Sequence, residues 1–342
     1  MDKPKPKPIN LALQGGGAHG AFTWGVADRL LQDNSIKIAG MSGTSAGALN
    51  GAAIKAGLIE NGKAGARENL KWLWSQVAGV DDVRMTDWMS WMLPPPGVVS
   101  NAIENSVPYA MADAWSRVFS PYTYGPFYQN PLRKIAETFR YDAVCAASNP
   151  KFFVSATAVR TGKIRVFSGA KINADVLLAS ACLPTMFQAV EIDGEDYWDG
   201  GYTGNPALFP LFAPDLPSDI VIVNINPLER KETPREARDI LNRINEISFN
   251  SSLMRELRAI NFVQRLIKDG TIPEGAMKRI NVHMISDDAL MTELSVASKL
   301  VPTPTTLNAL FDAGQAAAET FLKEHGASIG KLSSLDLPEL YS

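Results

Sequence analysis

A strand that runs into consecutive glycines and then into a helix is the feature that most constrains the fold of this chain. Apolar residues 9–13 are followed by three glycines at 15–17, and apolar side chains then recur at helical spacing over residues 18–32. The pattern repeats with a second apolar run at 36–41, another turn, and a helix rich in small residues over 46–56. This order favours parallel strands joined by crossover helices, and therefore an α/β fold.

The remaining apolar runs predict a larger sheet with helices around it. Asp193-Gly194 separates two of these runs and is a strong signal for a hairpin turn. Strands are predicted at residues 152–159, 164–167, 190–192, 197–198, 219–225 and 279–285. Further helices are predicted at residues 66–78, 174–181, 234–269 and 304–325, and Gly57 is expected to end the helix that starts at 46.

No linker or change of composition divides the chain into two domains. We predict a solvated tail at 1–8 and a single α/β domain at 9–342. Within that domain, residues 66–140 are expected to form a helical, Trp-rich insertion over the sheet. Residues from about 230 to 342 are expected to form a helical C-terminal extension. The density of Trp, Tyr and Met in the insertion suggests an acyl-binding or lid role for residues 85–128, and ordinary core packing is the alternative.

Composition narrows the class of protein. The chain has 342 residues, 46% of them hydrophobic, and a formal net charge of -3, which argues against a nucleic-acid-binding protein. No apolar run reaches the roughly 18 residues of a transmembrane helix, and the Lys-Pro alternation at the N-terminus is unlike a secretory signal. A cytoplasmic protein is therefore expected. Cys145 and Cys182 are too few for a disulfide framework and suit a reducing compartment or buried apolar positions.

The second strand leads into a G-x-S-x-G pattern, Gly43-Thr44-Ser45-Ala46-Gly47. A nucleophilic serine needs a tight strand-to-helix turn that holds its hydroxyl above the sheet, and glycines two residues to either side relieve the crowding in such a turn. The backbone N–H of Ala46 would then point towards a substrate carbonyl oxygen, at the positive end of the following helix. The alternative is a Gly-Ser turn that only closes a strand–helix unit.

The glycines after the first strand have two interpretations. As Gly15-Gly16-Gly17 they leave backbone N–H groups unhindered at a helix start, which suits an oxyanion hole. Together with Gly20 they also match the G-x-G-x-x-G dinucleotide fingerprint. That fingerprint expects an acidic residue at the end of the second strand, whereas Asp33 precedes the strand. No nucleotide cofactor is therefore expected.

A candidate base occurs at the end of the predicted 190–198 hairpin, in Asp199-Gly200-Gly201. An aspartate has an ordinary pKa of about 3.9, so it could serve Ser45 as a general base only in a desolvated, tightly hydrogen-bonded site. The alternative is a turn aspartate.

A catalytic histidine is not evident. The chain has three histidines: His19 lies in the glycine motif, His283 in a predicted strand, and His325 near the end of the last predicted helix. The latter two lack the loop setting of a Ser-His-Asp triad, and no metal-binding motif occurs.

Together the motifs Gly15-Gly16-Gly17-Ala18-His19-Gly20, Gly43-Thr44-Ser45-Ala46-Gly47 and Asp199-Gly200-Gly201 closely resemble those of the patatin-like phospholipases, a family of lipid acyl hydrolases. Each motif is weak alone, whereas their joint order on strand–helix turns is specific. The segment Ser180-Ala181-Cys182-Leu183-Pro184 is also similar to the family's segment before the aspartate hairpin. The resemblance covers residues 9–60 and 150–227.

This resemblance implies a three-layer α/β/α fold and a Ser-Asp dyad. Ser45 would be the nucleophile and Asp199 its base, acting through an acyl-enzyme without a metal or other cofactor. The oxyanion hole would come chiefly from Gly16 and Gly17, together with Gly15 and Ala46. The other motif glycines would shape the turns: Gly20, Gly43, Gly47, Gly200 and Gly201.

One departure from the family concerns the substrate. Members usually carry Arg or Lys at the position of His19, which is therefore a candidate substrate contact with a weaker charge. Phospholipids, neutral short-chain esters and polyhydroxybutyrate-type polyesters all stay open as substrates. Peripheral contact with a membrane or with a lipid or polyester granule is a further expectation, and a non-catalytic lipid-binding protein of the same fold is the alternative from another class.

Overall fold

The computed structural model describes residues 5–84, 94–273 and 275–341, and its centre is one eight-stranded sheet. The spatial order is β5-β6-β3-β2-β1-β7-β8, with β4 paired to β3. Strands β1, β2, β3, β7 and β8 pair in parallel, whereas β4, β5 and β6 join by antiparallel pairing. The strands are β1 Lys7–Leu13, β2 Ile36–Gly43, β3 Lys151–Ala158, β4 Ile164–Ser168, β5 Val190–Ile192, β6 Glu195–Asp199, β7 Asp219–Val223 and β8 Asn281–Ile285.

Helices connect the strands and cover both faces of the sheet. The described α-helices are α1 Gly20–Gln32, α2 Ala46–Ala78, α3 Pro96–Glu104, α4 Val107–Val118, α5 Arg133–Thr138, α6 Tyr141–Val144, α7 Ala174–Ser180, α8 Ala237–Lys268, α9 Asp288–Glu293, α10 Val296–Leu300 and α11 Pro304–His325. Short 3-10 turns occupy Gly17–His19, Pro121–Phe127, Gly169–Lys171, Gly200–Tyr202, Phe209–Phe212 and Glu339–Tyr341.

Successive side chains of the central strands point to opposite faces of the sheet, and an apolar core lies on each face. Leu11 and Leu13 of β1 pack into the core that contains α1, α2 and α11, where the rings of Trp24 and Phe311 lie 4.2 Å apart. Ala12, between those two leucines, faces the other core, with α8 above it. The α/β/α layering expected from the sequence is therefore confirmed.

The pairing of β3 brings the ends of two other strands together. β2 pairs with β3 up to the Gly43–Val154 pair, and β6 pairs with it from the Ala156–Asp199 pair onwards. Because β4 occupies the opposite edge of β3 over residues 153–157, β2 and β6 share one edge. The two strands approach each other from opposite directions, so the C-terminal ends of β2 and β6 meet.

Several predicted boundaries differ from the structure. Helix α2 does not end at Gly57 but continues to a break at Asn61 and Gly62, and the helix predicted at 66–78 is its second arm. A Cβ on Gly57 would lie 2.4 Å from the Cα of Ala66, so this glycine permits the two arms to pack closely. The expected tail at 1–8 is shorter, because β1 already begins at Lys7.

The structure also bears on two of the larger predicted regions. The C-terminal region from 230 is not purely helical, because it contributes β8 to the main sheet. The expected insertion at 66–140 contains the second arm of α2 and helices α3 to α5, and it ends just before α6. The part of the lid hypothesis at 85–93 lies outside the described residues.

Over the described ranges, none of the helices combines the length and apolar character that crossing a membrane requires.

Candidate active site

Ser45 lies on the turn between β2 and α2 in a backbone conformation that side chains rarely adopt. Its φ is 53° and its ψ is -124°, and it immediately precedes the first residue of α2. Such a conformation costs on the order of 1–3 kcal/mol and persists only where the surroundings enforce it. The serine of a nucleophile elbow has this type of strained turn, with its hydroxyl raised above the sheet.

The two glycines that flank Ser45 allow the elbow to form. A Cβ on Gly47 would lie 2.1 Å from the carbonyl oxygen of Leu13, and one on Gly43 would lie 2.5 Å from the carbonyl oxygen of Gly47. Neither approach leaves room for a side chain. The turn is also tied to β1, because the Thr44 N–H donates to the Leu13 carbonyl at 3.2 Å.

Asp199 ends β6 and is held by backbone groups on both sides. Its N–H donates to the Cys182 carbonyl at 2.8 Å, and its Oδ1 accepts a hydrogen bond from the Gly201 N–H at 2.7 Å. The residue is 1% exposed. Its Oδ2 has no hydrogen-bond partner among the described residues, so one carboxylate oxygen is available to a reacting group.

The environment of Asp199 makes this carboxyl group an unusually strong base. Burial raises its pKa to about 7, while the Gly201 N–H and the nearby Ser45 hydroxyl act in the opposite direction. The structure brings Ser45 and Asp199 together from positions 154 residues apart in sequence.

The glycine-rich turn after β1 lies directly against the elbow. A Cβ on Gly15 would be 2.6 Å from the Ser45 Cβ. The backbone N–H groups of Gly16, Gly17 and Ala46 donate no hydrogen bond to any described residue. Free backbone donors in two turns that pack against each other are suited to binding an oxyanion.

Gly15 differs from the other three residues expected in the oxyanion hole. Its N–H donates to the side-chain Oδ1 of Asn205 at 2.6 Å, so this donor is already engaged. The expectation that Gly15 supplies an oxyanion donor therefore needs correction, because in this structure its N–H anchors the loop.

His19 lies inside the protein rather than at the mouth of the site. It is 1% exposed, and its Nε2 forms a 2.8 Å hydrogen bond with Ser298 Oγ. Burial, and to a smaller extent the charge of Lys299, hold the pKa of His19 well below its usual range. The imidazole is therefore neutral and does not reach solvent, which disfavours the substrate contact expected from the sequence.

The remaining predicted positions are placed as follows. Gly20 begins α1 beside Ala46, and Gly200 and Gly201 are buried in the turn after Asp199. His283 lies within β8, where its Nε2 contacts Asp219 Oδ1 at 3.0 Å and its Nδ1 contacts Ser334 Oγ at 3.0 Å. It is not part of the site.

Several residues that support the site were not identified from the sequence. Ser180 Oγ accepts a hydrogen bond from the Ser45 N–H at 2.9 Å. Gln14 Oε1 accepts hydrogen bonds from the N–H groups of Ile225 and Asn226. These partners are far apart in sequence and have no local motif, although Asn205 follows Asp199 closely and Ser180 lies in the segment noted before the hairpin.

Across the described portions of the chain, no group of three or more His, Cys, Asp or Glu side chains is arranged to hold a metal ion.

These features define an α/β protein with a serine elbow, a buried aspartate and a glycine-rich turn at the carboxyl edge of its sheet. The model of the patatin-like phospholipase family matches residues 11–212, which include all three motifs. The chain therefore belongs to the patatin-like phospholipase family, and membership of this family indicates lipid acyl hydrolase activity. None of the curated proteins matches the chain.

The solved structures that the chain matches include bacterial proteins. VipD from Legionella pneumophila has 15% sequence identity and a TM-score of 0.44, with 94% of this chain and 67% of VipD covered. The ExoU–SpcU complex from the type III secretion system of Pseudomonas aeruginosa has 14% identity and a TM-score of 0.34. That match covers 93% of this chain and 52% of the other, so the chain spans about half of its length.

Proposed function

We propose that this protein is a serine ester hydrolase in which Ser45 is the nucleophile and Asp199 is its general base. The observation that carries the proposal is the buried Asp199 carboxyl group, which has one unbound oxygen and lies beside a serine on a strained elbow. The arrangement needs no histidine, because the carboxyl group itself can accept the serine proton.

In the proposed reaction, Ser45 Oγ attacks the carbonyl carbon of an ester while its proton moves to Asp199 Oδ2. The bond between the carbonyl carbon and the alcohol oxygen then breaks, and Asp199 returns the proton to the departing alcohol. The acyl group is left on Ser45. A water molecule then gives a proton to Asp199 and attacks the acyl carbon. The bond between the acyl carbon and Ser45 Oγ breaks, Asp199 returns the proton to Ser45 Oγ, and the carboxylic acid is released.

Burial of Asp199 supports its role as a base. A carboxylate with an ordinary pKa of about 3.9 holds a proton weakly, whereas a pKa of about 7 matches it to proton transfer near neutral pH. The hydrogen bond from the Gly201 N–H to Oδ1 leaves Oδ2 as the oxygen that can take up the proton.

Charge develops on the carbonyl oxygen as the tetrahedral intermediate forms. We assign the stabilisation of this oxygen to the N–H groups of Gly16, Gly17 and Ala46, which are free of other hydrogen bonds among the described residues. Because these donors belong to the backbone of two tight turns, they need little reorganisation during the reaction.

The neutral state of His19 influences the choice of substrate. A buried, uncharged imidazole does not supply the cation that would favour a phosphate headgroup. Neutral short-chain esters and polyhydroxybutyrate-type polyesters therefore stand beside phospholipids as proposed substrates.

An exposed apolar face suggests how the protein reaches esters in a lipid phase. Four residues of α4 recur at helical spacing and are more than half exposed, namely Val107, Met111, Trp115 and Val118. The segment that follows α4 contacts the chain just before β5, because the N–H of Ala189 donates to the Tyr122 hydroxyl at 3.0 Å. We propose that this face of α4 contacts a lipid surface.

Hydrolysis of p-nitrophenyl butyrate by purified protein tests the catalytic proposal. We expect activity in the wild type and a loss of at least about 10³-fold in Ser45→Ala, the scale seen when a residue of a catalytic unit is removed. Ser35→Ala, which alters an exposed serine, is the matched control and should keep full activity. Equal activity in the wild type and Ser45→Ala would contradict the assignment.

The alternative is a non-catalytic lipid-binding protein of the same fold. It predicts that neither the wild type nor Ser45→Ala hydrolyses esters under any lipid condition, while both bind lipid equally well. Hydrolysis that depends on Ser45 excludes it.

A further inference from the structure

A chain of hydrogen bonds connects a lysine in the C-terminal third to the glycine-rich turn. Lys299 Nζ donates to Asn226 Oδ1 at 3.1 Å. The Nδ2 of Asn226 donates to the Gly15 carbonyl at 2.9 Å and to Gln14 Oε1 at 3.2 Å. Asn226 is buried, so these bonds are not replaced easily by water.

The lysine contributes to fixing which way the Asn226 side chain points, together with the two acceptors of its NH2 group. An ammonium group only donates hydrogen bonds, so the amide must present its oxygen to Lys299. The NH2 group then faces the Gly15 carbonyl. Without the ammonium group, a flip of the amide would place Oδ1 against that carbonyl oxygen. The carbonyl would then keep only the longer hydrogen bond from Asn205 Nδ2, at 3.4 Å.

The orientation of the Gly15 carbonyl in turn sets the direction of an oxyanion donor. The carbonyl of Gly15 and the N–H of Gly16 belong to the same planar trans peptide and point in opposite directions. Fixing the carbonyl on the Asn226 side therefore aims the Gly16 N–H away from Asn226. The next peptide is held as well, because the Gly16 carbonyl accepts a hydrogen bond from the His19 N–H at 3.3 Å.

Helix α10, which carries Lys299, also packs directly against the glycine-rich turn. Gly17 has a φ of +59°, and a Cβ on it would lie 2.3 Å from the Lys299 carbonyl oxygen. Ser298, the preceding residue, bonds His19. These contacts come from outside the part of the chain that the family model matches.

We propose that Lys299 is a positioning residue for the oxyanion hole, acting through Asn226 on the peptide between Gly15 and Gly16. The inference rests on the proposed serine hydrolase function. It adds that the C-terminal third of the chain contributes to transition-state stabilisation without touching the substrate.

The charged surroundings of Lys299 are consistent with this role. Glu246 is its acidic neighbour and also accepts hydrogen bonds from Arg230 and Arg243, while His19 is neutral. Burial lowers the pKa of Lys299 to about 8, with Arg230 adding to the effect and Glu246 opposing it. The group is therefore an ammonium ion at neutral pH. Above about pH 8 it becomes an amine that can also accept, and the constraint on Asn226 is relaxed.

Three variants test the proposal with p-nitrophenyl butyrate as substrate. Lys299→Met removes the donor, and Asn226→Asp keeps the shape and a partner for Lys299 but cannot donate to the Gly15 carbonyl. We expect each to lower kcat by about 10- to 100-fold with little change in KM, a fraction of the loss of a whole oxyanion donor. Lys299→Arg, which still only donates, should recover most of the kcat lost in Lys299→Met.

Two further measurements separate positioning from a general structural effect. Lys278 also donates to backbone carbonyls, those of Ala213 and Leu216, so Lys278→Met is a matched control that should retain kcat. The double variant Lys299→Met, Asn226→Asp should be no slower than Asn226→Asp alone, because both changes act through the same amide. Multiplicative losses, or a change in KM alone, would overturn the proposal.

The rate of covalent labelling separates failure of this inference from failure of the proposed function. A p-nitrophenyl alkylphosphonate should phosphonylate Ser45 in the wild type and react at least about 10-fold more slowly with Lys299→Met. Equal labelling rates in the wild type, Lys299→Met and Asn226→Asp would refute the role of Lys299 alone. Absence of labelling in the wild type would refute the proposed function and this inference with it. If Lys299→Met does not fold, Asn226→Asp decides between these outcomes.

Discussion

Asp199 combines deep burial with a carboxylate oxygen that no described residue binds. In the interior, an ionised carboxylate without full hydrogen bonding is costly, and the raised pKa of Asp199 expresses that cost. The same feature that destabilises the residue makes it a base near neutral pH. Stability and reactivity therefore oppose each other at this position.

The pH dependence of the reaction should follow the ionisation of Asp199. Because Asp199 must be unprotonated to accept the Ser45 proton, we expect kcat/KM to rise with pH and to level off above its pKa of about 7. The measurement is kcat/KM for p-nitrophenyl butyrate from pH 5 to pH 8, with the rate of Ser45→Ala subtracted at each pH. A flat profile across this range would argue against Asp199 as the base.

Removing the charge of Asp199 should stabilise the fold while abolishing activity. The folded-state pKa of Asp199 is raised above its unfolded value. Asp199 therefore lowers the free energy of unfolding progressively as pH rises from about 4 to about 7, and the full reduction persists above pH 7. Asp199→Asn, which keeps an acceptor for Gly201, should thus gain on the order of 3 kcal/mol at pH 8 and less at pH 5.

Urea unfolding at pH 8 and pH 5 measures this gain. Asp196→Asn, which alters an exposed aspartate of the same strand, is the control and should change stability by less than about 0.5 kcal/mol. If Asp199→Asn is instead less stable than the wild type at pH 8, the ionised carboxylate is stabilised by more hydrogen bonding than its burial indicates.

The sequence is enough to predict the residues of the candidate site but not all of their partners. Ser45 and Asp199 could be identified because a nucleophile elbow and a hairpin end each leave a local pattern. Ser180 and Asn226 could not, because a buried hydroxyl or amide acquires its role only when distant segments meet. The prediction that the Gly15 N–H is an oxyanion donor fails for the same reason. This N–H already donates to Asn205, and the sequence alone does not show that the two residues meet.

At the scale of elements, the strand and helix pattern was predicted most accurately where local signals and packing agree. The last helix, α11, has the predicted bounds of 304 and 325, with Thr303 capping its start through a bond to the Thr306 N–H. The predicted end of helix α2 at Gly57 is wrong. Glycine is typical of a helix end, but here its lack of a side chain allows the two arms of the helix to pack closely.

The apolar face of α4 is the element for which we predict a role at a lipid surface. Val107→Asp combined with Met111→Asp should lower binding to phosphatidylcholine vesicles by about tenfold or more, because both side chains are largely exposed and would lose apolar contact with the lipid. The same variant should hydrolyse dissolved p-nitrophenyl butyrate at the wild-type rate. Co-sedimentation with vesicles and hydrolysis of dissolved p-nitrophenyl butyrate are the two measurements.

Leu332→Asp changes an exposed leucine elsewhere and controls for a general loss of hydrophobicity. If the α4 variant binds vesicles as well as the wild type does, or if Leu332→Asp binds as poorly as the α4 variant, the assigned surface is wrong.

At the scale of the whole molecule, the site draws on the full length of the chain. The elbow and the glycine turn follow the first two strands, and Asp199 comes from the middle of the chain. Asn226 and Lys299 lie beyond the residues that the family model matches. The sheet makes this convergence possible, because β1, β2, β6 and β7 end at neighbouring positions. The strand predicted at 279–285 is present as β8, whereas its place in the main sheet and the contact of α10 with the glycine turn are not evident from the sequence, because both depend on packing between distant segments.

The central claim is that Ser45 forms a covalent intermediate. Reaction of the wild type with a p-nitrophenyl alkylphosphonate, followed by intact mass and peptide mapping, tests it most directly. The account predicts release of one p-nitrophenol per chain and a phosphonyl adduct on the peptide that contains Ser45, with neither in Ser45→Ala. An unmodified Ser45 in a protein that still hydrolyses esters, or an adduct on another residue, would contradict it.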